Sequence, residues 1–229
     1  MSETMQIASL DGAGGFEAYA AGPTSATAGI VVVQEIFGIN PGIRQMVDGW
    51  GALGYRAISP DLFWRLEPGV SLDADKPDEM QHAFGLYQRF DVDLGITDIA
   101  ASIRALRAAG CATVGVVGYC LGGLLAYLSA CRTDADASVG YYGVGIDGKL
   151  DEADAIAQPL MLHIATEDGF VPAEAQAAVH ARLDGHPRCT LHDYKADHAF
   201  ARAIGSSRVP DLAALADQRT ADFFKDNLY

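Results

Sequence analysis

The segment 113–130, TVGVVGYCLGGLLAYLSA, constrains the fold of this chain more than any other. A Val-rich apolar run passes through Gly-x-Cys-x-Gly into a Leu- and Ala-rich run, the pattern of a buried strand that turns sharply into a helix. The central residue of such a turn has a strained backbone, and side chains two positions to either side would collide unless they were glycine. Gly118 and Gly122 flank Cys120 at those two positions.

Apolar strands and helical patterns alternate along the rest of the chain. A hairpin with the turn DGAGG comes first, and the later strands are read in AGIVVVQEIF, GYRAISPDLF, ASVGYYGV, LMLHIAT and CTLHDY. Helices are predicted from Asn40-Pro41 onward, in ITDIAASIRALRAAG, in PAEAQAAVHARL and over 210–227, with an irregular excursion over 65–77. The alternation predicts one α/β domain over residues 1–229, with a mostly parallel central sheet, helices on both faces, and ligands at the carboxyl ends of the strands.

Charge and apolar patterning exclude several classes of function. The chain has 30 acidic and 16 basic residues and a formal net charge of -14, which repels nucleic acid and anionic lipid surfaces. The start MSETMQIASL has neither the positive nor the long apolar region of a secretory signal, and no later stretch has the pattern of a membrane span. We therefore expect a cytoplasmic monomer with no nucleic-acid or membrane partner.

The cysteines divide into two kinds. None of the four forms a C-x-x-C pair, so all are expected to be reduced, and Cys111, Cys131 and Cys189 are interpreted as small core residues. Cys120 could be another small hydrophobe, but the turn presents its sulfur at a helix N-terminus, where free N–H groups and the helix dipole favour a thiolate. We interpret Cys120 as a nucleophile and the N–H of Leu121 as a donor to a developing oxyanion.

A nucleophile of this kind needs a base and an orienting carboxylate, which in this architecture follow it in the order acid, then histidine. Asp168 follows the strand LMLHIAT, and His198 lies in the later loop YKADHAFAR. Both positions lie at the carboxyl ends of predicted strands, the edge where Cys120 emerges. Glu167 and Asp197 are alternative carboxylates, but Asp168 is favoured because aspartate is short and stiff at a strand end.

The other histidines are given structural positions. His163 is expected in the core, His180 and His186 on a helix surface and a loop, and His192 within a strand. The six-residue spacing of His186, His192 and His198 does not align them with a fourth ligand. Because the chain also has no HExxH sequence and no P-loop, we predict neither a metal site nor a cofactor.

Several motifs, in order along nearly the whole chain, resemble those of the dienelactone hydrolase family. They are QEIFGIN (34–40), PDLFWR (60–65), GYCLGG (118–123), VGYYGVG (139–145), EDGFVP (167–172) and DHAFAR (197–202). The resemblance implies an α/β-hydrolase fold and hydrolysis of the enol lactone carboxymethylenebutenolide in catechol or chlorocatechol breakdown. It also implies a Cys-His-Asp triad of Cys120, His198 and Asp168.

The resemblance gives roles to four further residues. It implies that Glu35 lies beside the thiol and is held by Arg202 until substrate displaces it, so that it can take the thiol proton. It also implies an oxyanion hole made by the backbone N–H groups of Ile36 and Leu121. Independently, a glutamate at the end of a Val-rich buried strand needs a partner, so a purely structural ion pair is the alternative for Glu35.

Further residues are predicted to contact the substrate. Besides Arg202 they are aromatic residues: Phe37, Phe84, Tyr87 and Tyr142. The family binds the substrate carboxylate with two arginines, but Met80 stands at the position of the first one, and Arg65 or His82 are candidates to replace it.

A cysteine nucleophile itself restricts the substrate. Thiolate is a good leaving group, so its adduct with an amide or a plain alkyl ester would expel sulfur and return to substrate. An enol lactone opens to a stabilised enolate, and the reaction goes forward. The cysteine therefore favours activated esters, thioesters or enol lactones over peptides. Together with the resemblance, it predicts enol-lactone hydrolysis through a thioester acyl-enzyme. A broader thiol esterase or thioesterase, and a non-catalytic redox sensor or ligand-binding domain, are the alternatives.

Overall fold

The computed structural model describes residues 2–229. The strands are β1 (Glu3–Ala8), β2 (Gly15–Ala21), β3 (Ala28–Val33), β4 (Arg56–Pro60), β5 (Thr113–Tyr119), β6 (Ala137–Tyr141), β7 (Leu160–Ala165) and β8 (Cys189–Tyr194). The helices are α1 (Pro41–Ala52), α2 (Pro77–Arg89), α3 (Val92–Ala108), α4 (Leu121–Arg132), α5 (Ala173–Leu183) and α6 (Pro210–Leu228), with a 3₁₀ helix at Asp147–Ala155.

All eight strands form one sheet in the order β1-β2-β4-β3-β5-β6-β7-β8. β2 pairs antiparallel with both β1 and β4, and every later pairing is parallel. α1 and α6 share one face, where the Trp50 and Phe224 rings meet at 5.4 Å. α3 and α4 pack together on the other face. The predicted mostly parallel sheet with helices on both faces is confirmed.

The central strands are apolar throughout because both faces of the sheet are covered. Every residue of β3 is buried, as is β5 from Val114 onward. Glycine is needed at Gly115, where a Cβ would lie 2.6 Å from the Phe224 ring. No helix in residues 2–229 is long and apolar enough to cross a bilayer.

Three boundaries differ from those predicted. β3 ends at Val33 rather than at Phe37, because the Gln34 side chain turns to accept the N–H of Leu62. β6 ends at Tyr141 because the next residue, Tyr142, has a φ of 38°. α3 begins at Val92, ahead of the predicted start at 96, because the Asp91 carboxylate accepts two N–H groups of its first turn.

The irregular excursion predicted over 65–77 is confirmed, and it lies across the carboxyl end of the sheet. Ile39 donates its N–H to Val70, and Leu72 donates to Phe37. These bonds fasten the excursion to the segment that follows β3. Consequently α2, which the excursion leads into, lies over the end of the sheet where β5 turns into α4.

Candidate active site

The turn from β5 into α4 has the geometry expected from its glycines. Cys120 has φ 57° and ψ −115°, a conformation that L-residues rarely adopt. A Cβ on Gly118 would overlap the carbonyl of Gly122, and a Cβ on Gly122 would lie 2.5 Å from the Val33 carbonyl. Only glycine fits at either position, so the helix start packs directly against the end of β3 and Cys120 is held at the corner.

His198 is brought to this corner by the loop after β8, and Asp168 by the loop after β7. The His198 Nδ1 lies 2.8 Å from Asp168 Oδ2, and the two side chains are 9% and 1% exposed. The other Asp168 oxygen accepts the Phe170 N–H, which fixes the carboxylate. This contact leaves His198 Nε2 free to face the cavity that Cys120 also lines.

The two alternative carboxylates do not reach the imidazole ring. Glu167 is exposed and lies 3.9 Å from Lys195. Asp197 accepts the backbone N–H groups of Gly169 and His198, so it ties the two loops together. Of the three acidic residues considered from the sequence, Asp168 alone contacts the His198 ring.

The charge state of His198 reflects its neighbours. Burial opposes the positive charge, but the hydrogen bond to Asp168 and the neighbouring Cys120 sulfur outweigh it and raise the pKa of His198 to about 10. A protonated imidazole beside a thiolate is the arrangement that keeps a cysteine reactive. The charged imidazole can therefore pair with a thiolate once the thiol has lost its proton.

Glu35 and Arg202 form a buried pair beside the cysteine. Arg202 Nε donates to one carboxylate oxygen at 2.8 Å and Nη2 to the other at 3.2 Å. Burial disfavours the guanidinium charge, but Glu35 more than compensates, so the pKa of Arg202 is raised. The guanidinium also lies 5.1 Å from the centre of the Phe37 ring. The pairing expected from the sequence is present.

Two backbone N–H groups flank Cys120. Within residues 2–229, neither the Ile36 N–H nor the Leu121 N–H donates to a protein acceptor. Ile36 lines the same cavity as Cys120, and Leu121 is the first residue of α4. The close approach of Gly122 to the Val33 carbonyl brings the two segments together.

The cavity above Cys120 has a volume of about 70 Å³ and is mostly apolar. Its walls include four of the predicted substrate contacts: Phe37, Phe84, Tyr87 and Arg202. Met80 forms part of the wall, as do Val144 and Phe170, which the sequence analysis did not identify. Phe170 contacts both Phe84 and His198 with its ring. The position of Phe170, two residues after Asp168 in the sequence, was the signal that could have identified it as a cavity residue.

Tyr142, also predicted to contact substrate, does not line this cavity, so that expectation is corrected. The side chain is buried at 2% exposure, and its ring lies 5.0 Å from His198, edge to face. The positive φ at Tyr142 turns the side chain beneath the histidine instead of into the open space.

Neither candidate for a second cation reaches the cavity, because both side chains have acidic partners elsewhere. Arg65 pairs with Asp98 and Asp11 at 2.9 Å each. His82 lies 2.9 Å from Glu67. Among residues 2–229, Arg202 is therefore the single arginine or lysine in the cavity wall.

The remaining histidines are structural, as interpreted from the sequence. His163 is buried between Tyr194 and Thr220, and burial holds its pKa well below the ordinary value. His180 lies on α5 between two aspartates. No group of three metal-ligating side chains suited to an ion occurs in the part of the chain that the structure describes.

The strand order and the strained turn with its histidine and carboxylate define a hydrolase of the α/β-hydrolase class. The sequence profile of the dienelactone hydrolase family matches residues 16–228. The chain belongs to the dienelactone hydrolase family, and it is a lactone or ester hydrolase.

Individual proteins agree with this assignment. A relative from Azospirillum brasilense is 45% identical over 221 residues, covering 94% of this chain and 95% of its own length. Carboxymethylenebutenolidase 1 of Cupriavidus pinatubonensis is 39% identical and covers 97% of this chain and 96% of its own length. A solved structure from Klebsiella pneumoniae has the same fold, with a TM-score of 0.81 at 24% identity, over 98% of this chain and 99% of that one.

Proposed function

We propose that this protein hydrolyses an enol lactone of the dienelactone type, carboxymethylenebutenolide, with Cys120 as nucleophile and His198 and Asp168 as its partners. One observation carries the proposal: His198 contacts Asp168 on one side and faces the cavity of Cys120 on the other. Family membership and the carboxymethylenebutenolidase relatives support the lactone substrate.

Glu35 acts first in this proposal. A substrate carboxylate that enters the cavity competes with Glu35 for Arg202, the cavity's arginine. The released Glu35 carboxylate takes the thiol proton of Cys120: the S–H bond breaks, an O–H bond forms and the electron pair stays on sulfur. The thiolate is then paired with the charged His198 imidazole.

The thiolate attacks the lactone carbonyl carbon, and the N–H groups of Ile36 and Leu121 stabilise the oxyanion. Collapse of the adduct breaks the ring C–O bond, forms a thioester on Cys120 and releases an enolate that stays attached to the acyl group. The enolate takes the proton that Glu35 removed from the thiol, so the enolate becomes a ketone and Glu35 is a carboxylate again. Because the leaving oxygen is stabilised, the reaction goes forward from a thiolate adduct.

Hydrolysis of the thioester requires a base. Acylation removes the negative charge on sulfur, one of the two partners that raise the pKa of His198. The imidazole then loses its proton more readily and can activate a water molecule, while Asp168 holds the ring. Water attacks the thioester carbon, the C–S bond breaks, and the protonated His198 returns the proton to the leaving sulfur.

We propose a broader activity on activated aryl esters or thioesters as the second candidate. The observation that favours it is the apolar cavity wall, which includes Met80 and Phe170 and, among residues 2–229, no lysine or arginine other than Arg202. The remaining parts of the proposal rest on composition and resemblance. We propose that the protein is a cytoplasmic monomer of one domain, that it needs no cofactor, and that it acts in catechol or chlorocatechol breakdown.

The experiment follows the ultraviolet absorbance of a dienelactone with the wild type, Cys120→Ala and Cys131→Ala. Cys131 is a matched control because it lies half-buried on α4, outside the cavity wall. We expect Cys120→Ala to lose at least about 10³-fold in rate and Cys131→Ala to keep its rate. Equal efficiency on aryl acetates would favour the broader activity. Labelling of Cys120 without turnover would favour the sensor.

A further inference from the structure

Two backbone carbonyl groups lie at the end of the turn that carries His198, those of Ala201 and Arg202. Both residues are buried, at 1% and 8% exposure. Arg202 donates its own N–H to the Ala199 carbonyl at 3.0 Å, which completes the turn. Within residues 2–229, no backbone N–H donates to the carbonyl of Ala201 or of Arg202. A buried carbonyl group requires a donor, so the way this turn is held depends on its side-chain partners.

Arg208 supplies these donors. Its Nη1 donates to the Ala201 carbonyl at 3.2 Å and to the Arg202 carbonyl at 3.1 Å. The next residue, Val209, donates its N–H to the Phe200 carbonyl at 2.9 Å. These three hydrogen bonds fasten together the two ends of the intervening loop.

Arg208 is itself held from α6. Its Nη2 lies 3.6 Å from Asp217 Oδ2, and the other Asp217 oxygen accepts the Tyr141 hydroxyl at 3.2 Å. Arg208 and Asp217 also line a second cavity, with a volume of about 310 Å³. Within residues 2–229, the wall of this second cavity shares no residue with the wall of the cavity above Cys120. The Arg208 side chain is 32% exposed, so solvent reaches the guanidinium.

The position of Arg208 matters because of the two carbonyl groups that it holds. The Ala201 carbonyl belongs to the peptide group before the Arg202 Cα, and the Arg202 carbonyl belongs to the peptide group after it. Arg208 therefore holds both peptide groups from which the Arg202 side chain extends. That side chain donates to Glu35 at 2.8 and 3.2 Å. Such bonds have N···O distances of about 2.7–3.2 Å, so a backbone displacement of about 1 Å would break them.

We propose that Arg208 is a positioning residue for Arg202: it holds the two peptide groups around the Arg202 Cα so that the Arg202 guanidinium meets the carboxylate of the substrate. The inference rests on the proposed function, in which Arg202 binds that carboxylate. Arg208 lies outside the wall of the cavity above Cys120, so it does not touch the substrate. Its effect is therefore confined to substrates that carry a carboxylate.

The test compares Arg208→Ala with Arg107→Ala on two substrates, a dienelactone and an uncharged aryl acetate. Arg208→Ala should raise KM for the dienelactone about tenfold and change kcat less than about threefold, because the substrate carboxylate pairs with Arg202 in the ground state and in the transition state alike. On the aryl acetate, kcat/KM should stay within about twofold of the wild type, because this substrate has no carboxylate for Arg202 to bind.

Arg107 is a matched control. Its guanidinium also donates to two backbone carbonyl groups, those of Ala112 and Asp134, at 2.9 and 2.6 Å. Its side chain is 28% exposed, close to the value for Arg208. The two carbonyl groups precede β5 and β6, at the edge of the sheet opposite to Cys120. Both substitutions should lower the melting temperature, but Arg107→Ala should leave KM for the dienelactone unchanged.

Chemical rescue separates positioning from a general loss of stability. Arg208→Ala enlarges the second cavity, so a free guanidinium ion can enter from solvent. Millimolar methylguanidinium, far below denaturing concentrations, should return KM of Arg208→Ala to within about threefold of the wild type, because its planar fork can reach the same carbonyl groups. Methylammonium at the same concentration should not restore KM, because it has no such fork.

Arg208→Lys keeps the test decisive if Arg208→Ala does not fold. Lysine retains the charge beside Asp217 but not the planar fork, so KM should rise about threefold for the dienelactone only. An unchanged KM in the Arg208 variants, an equal loss on both substrates, or equal restoration by both cations would overturn the inference. A wild-type rate in Cys120→Ala, or a wild type that does not open the dienelactone, would instead overturn the proposed function.

Discussion

Glu35 and Arg202 are joined by two hydrogen bonds of 2.8 and 3.2 Å although 167 residues separate them in the chain. Both side chains are at least nine-tenths buried. The pair connects the end of β3 to the loop that carries His198, so it closes one side of the site. When either member of so deeply buried a charge pair is removed, the remaining unpaired charge destabilises the protein.

That dependence gives a stability test for the pair. Glu35→Gln and Arg202→Gln should each lower the free energy of unfolding by about 3 kcal/mol, because each leaves the remaining partner without its counter-charge in the interior. The double variant should cost less than the sum by at least about 1 kcal/mol. Urea denaturation measures all four proteins. Strictly additive costs would show that the two side chains act independently.

The turn at Cys120 should tolerate no side chain at position 122. Gly122→Ala would push a methyl group into the Val33 carbonyl at 2.5 Å and shift the start of α4. We expect a loss of about 1–3 kcal/mol in the free energy of unfolding and a fall in kcat of at least about tenfold.

Gly49→Ala is the matched control for that substitution. Gly49 is an exposed residue of α1 and would meet nothing within 4 Å. This change should gain about 0.5–1 kcal/mol, because alanine favours the helix, and it should leave kcat unchanged. Thermal unfolding and steady-state rates together report the comparison. Equal effects of the two substitutions would contradict the steric argument.

The carboxylate that orients His198 can be identified by two amide substitutions. Asp168→Asn removes the charge 2.8 Å from Nδ1 and allows the wrong imidazole tautomer, so kcat should fall by about 10²–10⁴. Glu167→Gln changes an exposed neighbour that does not touch the ring and should leave kcat within about twofold. Rates on a dienelactone at saturating concentration decide the assignment. A larger effect at position 167 would reverse it.

The raised pKa of His198 gives stability a defined dependence on pH. The pKa rises from an ordinary 6.5 to about 10 on folding, so the charged imidazole stabilises the native state fully below about pH 6.5. That contribution is lost as pH rises through about 10. The stability difference between wild type and His198→Gln should therefore be constant in mild acid and shrink towards pH 10. Chemical denaturation at several pH values measures it, and a difference that grows with pH would contradict the assignment.

The parts of the site fixed by local sterics were predictable from the sequence. Gly118 and Gly122 indicate a sharp turn at Cys120, because only glycine fits on either side of it. This steric requirement is local and does not depend on the rest of the fold. Asp168 and His198 follow from the order of parallel strands, whose carboxyl ends meet at one edge. The hairpin and the helix that opens at Asn40 follow from turn and cap chemistry.

Other features depend on packing between distant segments and were not predictable. Tyr142 was expected in the pocket, but its positive φ, set where β6 ends, directs the ring beneath His198. Arg65 was a candidate second cation, but its partner Asp98 lies on α3, 33 residues away. Phe170 forms a wall only because the Asp168 carboxylate holds its N–H. No periodic pattern in the sequence indicates any of these contacts.

In the proposed reaction the sulfur of Cys120 carries the acyl group. Intact-protein mass spectrometry with peptide mapping tests it on His198→Gln, which retains Glu35 to activate the thiol but lacks the base for hydrolysis. After mixing with a dienelactone, we expect a mass gain equal to the whole lactone on the peptide that contains Cys120, because the leaving enolate stays attached. An unmodified Cys120, or an adduct on any other residue, would contradict it.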